Sequence, residues 1–320
     1  MNVFMFSGQG SQYFQMGQSL FQKEGAFRQE LLRLDKIFQA ESGRSVLDYI
    51  YGVGRSKSDV FDNISYSHPA LFVIQYALAR ELMSRGVICD KVFGSSLGEF
   101  VACSVAGYVD PADGLKSIIR QTQILEACQI TGGMIAVIDR LESYDILKSL
   151  CCDIELSGVN FQGNYVIAGL PIALKIAVNY LKEKRISHVV LPVNYPFHTH
   201  WMDPIKPAYE TVWASMAFND ASTMPWYSCS SKLRVSGCLK DHFWQLLRQP
   251  LYFEETLAQV ERDGAHNYID LSPTSSFVAL MRMTSPLQEG SAAYPLLNPF
   301  GGEQINLDAI ITNLAINIAY

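Results

Sequence analysis

Apolar residues recur at helical spacing in three long segments near the start of the chain, and short apolar runs separate these segments. The segments at residues 68–86 and 110–128 each have a proline near the beginning, which is typical of the first turn of a helix. Residues 97–109 form the third segment. The runs VFMF at residues 3–6 and KVF at residues 91–93 predict short buried strands. This alternation predicts an α/β layered fold with a mostly parallel sheet.

The pattern changes at residue 131, where short strands and helices alternate closely. GGMIAVI, ELSGVNFQGNYVIAG and SHVVLPVNY are apolar enough for strands, and ESYDILKSL and PIALKIAVNYLKEK have helical spacing. We therefore expect a small ferredoxin-like α+β subdomain at residues 131–197. The large α/β domain then comprises residues 1–130 and 198–320, in which HNYIDL predicts a further strand.

Composition and charge narrow the classes of function. Of the 320 residues, 49% are hydrophobic and 18% are charged, which is typical of a globular chain. The net charge of −6 argues against a nucleic-acid partner. The seven cysteines are odd in number and irregularly spaced, so we expect free thiols in a cytoplasmic protein, with neither a disulfide framework nor a metal site. The N-terminus does not resemble a signal peptide, and no apolar run reaches the roughly 20 residues of a membrane helix, so no membrane association is expected.

A glycine-rich pentapeptide directly follows the KVF strand. Gly94-Ser95-Ser96-Leu97-Gly98 fits the pattern G-x-S-x-G with Ser96 at its centre, and a helical segment comes next. Strand, sharp turn and helix in this order form a nucleophile elbow, in which the hydroxyl projects at a helix N-terminus that favours negative charge. The alternative is a glycine-rich turn with two capping serines, and the pentapeptide alone does not decide between them.

A serine nucleophile needs a base, and the chain contains six histidines. Two of them, His198 and His200, follow an apolar run and a proline in NYPFHTHWMD. Because their positions alternate, we expect only one of them to face a cleft beside Ser96. An isolated histidine is more often a surface or core residue, so no role is predicted for the other four, which are His68, His188, His242 and His266.

Several segments together resemble the malonyl-CoA:acyl carrier protein transacylase family, including the free-standing acyltransferases that serve polyketide synthases. SGQGSQ is similar to the family's PGQGSQ, SHPALF to TQPALF, and GSSLGE to GHSLGE. GVNFQGNYVIAG is similar to VNxPxQVVIAG, and PFHTHWM to AFHSxxM. RQPLYF resembles an NPVRW-like stretch, and HNYIDLSPTSSFVALM resembles FxExGPGxVLTGL. The matches run in order from residue 2 to about residue 282, and this collinearity is more specific than any single motif.

The resemblance implies a patatin-like, α/β-hydrolase-like large domain and chemistry through an acyl-serine. Position by position, Ser96 matches the nucleophile and His198 the general base, which the backbone carbonyl of Gln249 would orient. The backbone N–H groups of Gln9 and Leu97 match the donors of the oxyanion hole.

His200 is then a bystander. The implied substrates are acyl thioesters, held on the phosphopantetheine of an acyl carrier protein or on coenzyme A. The resemblance implies no bound cofactor, and family members of this kind commonly act as monomers.

One departure from the family concerns the acyl group. In the malonyl enzymes an arginine on the helix after the nucleophile helix pairs with the malonyl carboxylate. It falls fourteen residues after the glycine that ends the nucleophile helix, which here is Gly107, so the counted position is Gln121. Arg120 lies about 100° away around the helix. A one-residue gap would restore Arg120 to the site, but counting back from GGM also favours position 121. Burying a malonyl carboxylate without a fixed cation would cost several kcal/mol, so Gln121 suits an uncharged acyl group.

Other departures are weaker. Ser95 replaces the histidine before the nucleophile, Ser7 replaces the proline of PGQGSQ, and SPTSS replaces GPGKV. Phe197 is retained at a position associated with small, unbranched acyl groups in malonyl enzymes, which argues for a malonyl substrate. We expect Gln121, Phe197 and Ser95 to select the acyl group.

Some relatives in trans-acyltransferase polyketide clusters lack the arginine and remove acetyl and similar stalled groups from carrier proteins. The leading expectation is therefore an acyl-carrier-protein thioester hydrolase, and the alternative is a malonyl transacylase that supplies extender units. Two further classes stay open. A patatin-like lipase would use a Ser-Asp dyad, for which Asp263-Gly264-Ala265 supplies the D-G-A string. A catalytically silent docking subunit is the non-enzyme alternative.

Overall fold

The computed structural model describes residues 1–214, 216–235, 239–284 and 286–315. The strands are β1 (Asn2–Phe6), β2 (Lys91–Gly94), β3 (Gly133–Ile138), β4 (Ile154–Phe161), β5 (Asn164–Gly169), β6 (Ser187–Val190), β7 (Trp226–Ser228), β8 (Leu233–Arg234), β9 (Leu251–Tyr252), β10 (Asn267–Asp270) and β11 (Ala292–Pro295). The α-helices are α1 (Gln18–Phe21), α2 (Ala26–Ser42), α3 (Val46–Tyr51), α4 (Ile64–Ser84), α5 (Gly98–Val105), α6 (Pro111–Ala127), α7 (Glu142–Leu150), α8 (Pro171–Glu183), α9 (Lys206–Ala214), α10 (Leu239–Arg248), α11 (Phe253–Glu261), α12 (Ser276–Met281) and α13 (Glu303–Leu314). A 3₁₀ helix spans His200–Ile205.

The central sheet has six strands in the order β11-β10-β1-β2-β7-β8. The first five of these strands are parallel to their neighbours, and only the short β8 runs antiparallel. β1 and β2 lie at its centre, and every residue of both strands is buried. The predicted α/β fold is thereby confirmed, with the mostly parallel sheet that the alternation of elements indicates.

Helix α4 is the main packing element of the core. Nearly every side chain from Ile64 to Leu82 is buried, which explains why this segment is apolar almost all round instead of on one face. It packs against α2, α5 and α6, and these helices cover the sheet. His68 of α4 and Ser96 of the G-x-S-x-G turn line the same pocket.

The second sheet has five strands in the order β6-β3-β5-β4-β9. β3, β4, β5 and β6 pair antiparallel, and α7 and α8 pack on one face of the sheet. The fifth strand, β9, comes from a later part of the chain and pairs parallel with β4 through Gly158 and Val159. This pairing ties the second sheet to the segment that directly follows α10.

Two element bounds differ from the sequence prediction for local reasons. The helix predicted over residues 97–109 ends at Val105, because Gly107 adopts φ +78°, a left-handed conformation that ends helices. The strand predicted for SHVVLPVNY is only β6, four residues at the exposed edge of the second sheet. No helix in the described ranges is both long enough and apolar enough to cross a membrane.

Candidate active site

Ser96 lies on the sharp turn between β2 and α5. It has φ +53°, a left-handed conformation that is uncommon for a residue with a side chain and typical of a strained, functional turn. Leu97 is the N-cap of α5, so the Ser96 hydroxyl lies at the N-terminus of that helix. The strand, turn and helix follow one another as in a nucleophile elbow.

Small residues let the turn approach β1. A β-carbon on Gly98 would overlap the carbonyl oxygen of Phe6, and one on Gly8 would lie 2.7 Å from Ser96 Cβ. Glycine at these two positions therefore lets the loop after β1 approach Ser96 closely, and Gln9 on that loop lines the same pocket as Ser96.

The imidazole of His198 lies next to Ser96. Its Nε2 is 3.1 Å from Ser96 Oγ, and its Nδ1 is 3.1 Å from the backbone carbonyl oxygen of Gln249. A carbonyl can only accept, so Nδ1 bears the proton and the Nε2 lone pair faces the serine hydroxyl. Burial lowers the pKa of His198 to about 4, and the hydrogen bond to Gln249 opposes this shift. A neutral imidazole in this tautomer can accept the serine proton.

The loop that contains His198 is held by several contacts. His198 itself has φ +63°, and its N–H donates to the carbonyl of Leu247 at 3.0 Å. Ser157 of β4 donates its hydroxyl to the carbonyl of Phe197 at 3.1 Å. The second sheet and the end of α10 thus both fix the peptide groups around the histidine.

Two residues expected to supply the oxyanion hole line the same pocket as Ser96. Gln9 lies on the loop after β1, and Leu97 directly follows the serine. Unpaired N–H groups beside a serine hydroxyl can bind an oxyanion that forms there.

The pocket has a volume of about 160 Å³ and opens beside Ser96. Its wall is mostly apolar, with Phe100, Met134, Val166, Phe197 and Leu247 among the lining residues. Of the described residues that line it, none is Lys, Arg, Asp or Glu. A pocket of this composition suits an uncharged group.

Gln121 and Arg120 point in different directions from α6. Gln121 is 2% exposed and lines the Ser96 pocket, whereas Arg120 is exposed and lies in a separate surface groove with Asp113 and Lys116. Of the two, the side chain that faces the pocket is therefore the uncharged one. Ser95 lies at the edge of the pocket, where its N–H donates to the carbonyl of Phe6.

The remaining candidates lie apart from Ser96. His200 is half exposed and pairs with Glu155 of β4, at 2.5 Å between Nδ1 and Oε1. Asp263 pairs with Lys91, the first residue of β2, with Nζ and Oδ2 2.8 Å apart. Ser96 follows the other end of β2, so Asp263 is at the opposite end of the strand from the serine. Within the described residues, no group of His, Cys, Asp or Glu side chains could hold a metal ion.

Sequence reasoning missed two polar clusters. His68 is buried in the pocket between Gln9 and Gln121, and the only signal for it was that SHPALF has histidine where the family's TQPALF has glutamine. Glu99 lies fully buried below the elbow, where its Oε1 accepts a hydrogen bond from the Ser228 hydroxyl at 2.6 Å and its Oε2 contacts His242 Nε2 at 2.8 Å. Burial raises the pKa of Glu99, and the contact with His242 opposes this shift. Nothing in the sequence near His242 indicates this pairing.

Comparisons to known proteins show the family of the chain. Residues 3–298 match the family described as Acyl transferase domain, and the chain belongs to this family. It is 35% identical over 308 residues to the polyketide biosynthesis acyltransferase homolog PksD of Bacillus subtilis strain 168, with 96% of this chain and 95% of that protein covered. It is 36% identical over 309 residues to the homolog BaeD of Bacillus velezensis, with the same coverage of 96% and 95%.

The fold is also that of a solved relative. The malonyl CoA-acyl carrier protein transacylase from Clostridium perfringens superposes with a TM-score of 0.82 at 20% identity, over 98% of this chain and 97% of that one. The resemblance that the motifs indicate, to the transacylases and to the free-standing polyketide acyltransferases, is confirmed.

Proposed function

We propose that this acyltransferase hydrolyses uncharged acyl thioesters, such as acetyl thioesters, on acyl carrier proteins of polyketide biosynthesis. The single observation on which this rests is that Gln121, not Arg120, faces the Ser96 pocket. PksD and BaeD are named as polyketide biosynthesis acyltransferase homologs, which supports the biosynthetic setting.

The proposed mechanism has two stages. His198 Nε2 accepts the Ser96 proton while Oγ attacks the thioester carbonyl, and the N–H groups of Gln9 and Leu97 stabilise the oxyanion. The C–S bond then breaks, and the phosphopantetheine thiol leaves with the proton from His198. In the second stage His198 takes a proton from water, the hydroxide attacks the acyl-serine, and the carboxylic acid leaves as Ser96 regains its proton. The Gln249 carbonyl keeps the imidazole in the reactive tautomer throughout.

Electrostatics favours an uncharged acyl group. A malonyl carboxylate in this pocket would lose its water without gaining a guanidinium partner, at a cost of several kcal/mol. Burial also lowers the pKa of His68 to about 3, so its imidazole brings no positive charge near neutral pH. An acetyl group has no charge to desolvate.

One observation favours a second candidate, a malonyl transacylase. Phe197 is 6% exposed and lines the pocket, where it limits the space to small, unbranched acyl groups as in the malonyl enzymes that the chain resembles. An acetyl group also meets this steric limit, so Phe197 does not exclude the hydrolase, and Gln121 is the residue that separates the two candidates. Ser95, at the edge of the pocket, would contribute to the same selection.

Several further expectations belong to this proposal. The partner is an acyl carrier protein, and coenzyme A thioesters are a second class of acyl donor. The enzyme needs no bound cofactor and acts as a monomer in the cytoplasm. We also propose a patatin-like large domain of residues 1–130 and 198–320 with a ferredoxin-like subdomain at 131–197. The antiparallel order β6-β3-β5-β4 with two helices on one face supports the latter.

The test measures two reactions separately: the release of acyl groups from the carrier protein and the transfer of acyl groups from coenzyme A to the carrier protein. Carrier protein is loaded with either acetyl or malonyl groups, and mass spectrometry follows free carrier protein and acyl-Ser96 over time, with Ser96→Ala as the blank. We expect acetyl release to exceed malonyl release by about tenfold or more. Rapid malonyl transfer from coenzyme A with no acetyl cleavage would overturn the proposal in favour of the transacylase, and a Ser96 that no thioester acylates would indicate a silent docking subunit.

A further inference from the structure

His68 connects two parts of the site that the sequence separates widely. Its Nε2 is 2.9 Å from Gln9 Oε1 on the loop after β1, and its Nδ1 is 3.5 Å from Gln121 Nε2 on α6. The ring is 3% exposed. The imidazole therefore bridges the loop beside the Ser96 hydroxyl and the side chain at the acyl-selecting position.

Tyr209 of α9 completes the row of hydrogen bonds. Its hydroxyl donates to Gln121 Oε1 at 3.1 Å and also lies 3.3 Å from the carbonyl of Phe243. With Oε1 occupied by Tyr209, the amide nitrogen of Gln121 faces His68, and the imidazole donates from Nε2 to Gln9. Reversing both amides would only move the proton to Nδ1, because an imidazole between two amides needs a single ring N–H. The coupling of Gln9 to Gln121 is the same in either tautomer.

We propose that His68 is a positioning residue that couples the Gln9 loop, and with it an oxyanion donor, to the Gln121 carboxamide that faces the acyl group. The proposal rests on the proposed function, in which Ser96 is acylated. Both residues differ from the family pattern, where glutamine stands in TQPALF and arginine on the helix, and the structure brings these two departures into contact.

Replacing the imidazole by an apolar group shows whether His68 acts through its hydrogen bonds or only by filling space. His68→Leu keeps a buried side chain of similar bulk but leaves the Gln9 and Gln121 amides without their bridge. His68→Gln restores a group that can donate at one end and accept at the other. If His68 only fills space, leucine and glutamine should behave alike.

The first experiment measures the rate constant for Ser96 acylation at saturating thioester, using whichever thioester the native protein loads faster. We expect His68→Leu to lower this rate constant by about tenfold with little change in KM, because the oxyanion donor shifts while the bulk of the side chain at position 68 is kept. His68→Gln should recover most of the loss. The matched control is His188→Leu on the edge strand β6, which should leave the rate within about twofold of native.

The second experiment tests the link to acyl selection. The acetyl-to-malonyl ratio of acylation is measured for the native protein, His68→Leu, Gln121→Leu and the double variant. We expect His68→Leu to change the ratio by about threefold or more when Gln121 is present and to leave it unchanged in the Gln121→Leu background. Equal changes in both backgrounds, or equal rates for the leucine and glutamine variants, would overturn the proposal.

A third measurement separates this inference from the proposed function. Phenylmethanesulfonyl fluoride labels an activated serine without any acyl carrier protein or thioester. The hydrolase proposal fails if the native chain prefers malonyl thioesters or is acylated by no thioester. Even then, slower labelling of Ser96 in His68→Leu, with recovery in His68→Gln, supports the role of His68. Identical labelling in all three proteins contradicts it.

Discussion

Gly98 lies directly against Phe6, so that any β-carbon at position 98 would overlap the Phe6 carbonyl oxygen. This contact holds the start of α5 against β1 and places Ser96 beside the Gly8-Gln9 loop. Gly98→Ala should therefore push α5 away from β1, destabilise the protein by several kcal/mol and abolish Ser96 acylation. Urea unfolding and mass spectrometry of acyl-Ser96 measure the two effects.

The matched control for that variant is Gly43→Ala. Gly43 has φ +71°, but a β-carbon there would meet no atom within 4 Å. Only the backbone cost of about 1 kcal/mol applies, and acylation should stay at the native rate. Equal losses in the two variants would mean that the Phe6 contact is not what matters at position 98.

The pH dependence of acylation should follow His198. Only the neutral imidazole can accept the Ser96 proton, and burial lowers its pKa to about 4. The acylation rate should therefore be independent of pH from about 6 to 8 and fall about tenfold per unit below pH 4. Stopped acylation reactions across this range measure the profile, and circular dichroism at each pH checks that the chain stays folded. A midpoint near 6.5 would show that His198 titrates as an exposed histidine does.

The sequence was sufficient for the parts of the site that are coded locally. The elbow around Ser96 follows from a strand, two glycines and a helix. The count of fourteen residues from Gly107, taken from the family resemblance, pointed to Gln121 in place of Arg120. Helical geometry then put these two side chains on different faces, one in the pocket and one in a surface groove.

The parts that depend on packing between distant elements could not be predicted in this way. His68 meets Gln121 only because α4 packs against α6, and His242 meets Glu99 only because α10 packs near the elbow. SHPALF marks position 68 as a departure from the family and nothing nearby marks His242, but neither segment identifies the partners, which lie far away in the chain. The pairing of β9 with β4 escaped prediction for the same reason.

Restoring an arginine should change the acyl preference. In Gln121→Arg the guanidinium would enter the pocket and could pair with a malonyl carboxylate, while it would lose its own hydration beside an acetyl group. We expect the malonyl-to-acetyl ratio of Ser96 acylation to rise by about tenfold or more. The matched control is Arg120→Gln, which changes an exposed side chain on the other face of α6 and should leave the ratio as in the native protein. An unchanged ratio in Gln121→Arg would show that position 121 does not select the acyl group.

His68 should also make the fold sensitive to acid. Burial lowers its folded-state pKa to about 3, below the usual 6.5, so the unfolded chain takes up the proton first as the pH falls. The stability that depends on neutral His68 is fully present above pH 6.5 and is lost as the pH falls toward 3, by about 1.4 kcal/mol per unit. His68→Gln should therefore lose about 2 to 3 kcal/mol less than the native protein between pH 7 and pH 4.5. Urea unfolding at both pH values measures this, and parallel losses would contradict it.

Asp263 should contribute to the stability of the fold and not to catalysis, whereas His198 should contribute to catalysis and not to stability. A lipase with a Ser-Asp dyad would need Asp263 near Ser96, but its carboxylate binds Lys91 at the far end of β2 and accepts a hydrogen bond from Tyr227 at 3.3 Å. Lys91 is 3% exposed, so Asp263→Ala leaves a buried ammonium without its anionic partner, and the unfolding midpoint should fall.

Ser96 acylation by a carrier-protein thioester should persist in folded Asp263→Ala, because the hydrogen bonds that join Ser96, His198 and the Gln249 carbonyl do not involve Asp263. His198→Ala should do the reverse, with a native-like unfolding midpoint and acylation slowed by about a thousandfold or more. Thermal unfolding measures the midpoint of each variant, and mass spectrometry of the same two preparations measures Ser96 acylation. Acylation that survives in His198→Ala but disappears in folded Asp263→Ala would revive the lipase mechanism, and the loss of acylation in both would point to a structural effect shared by the two ends of β2.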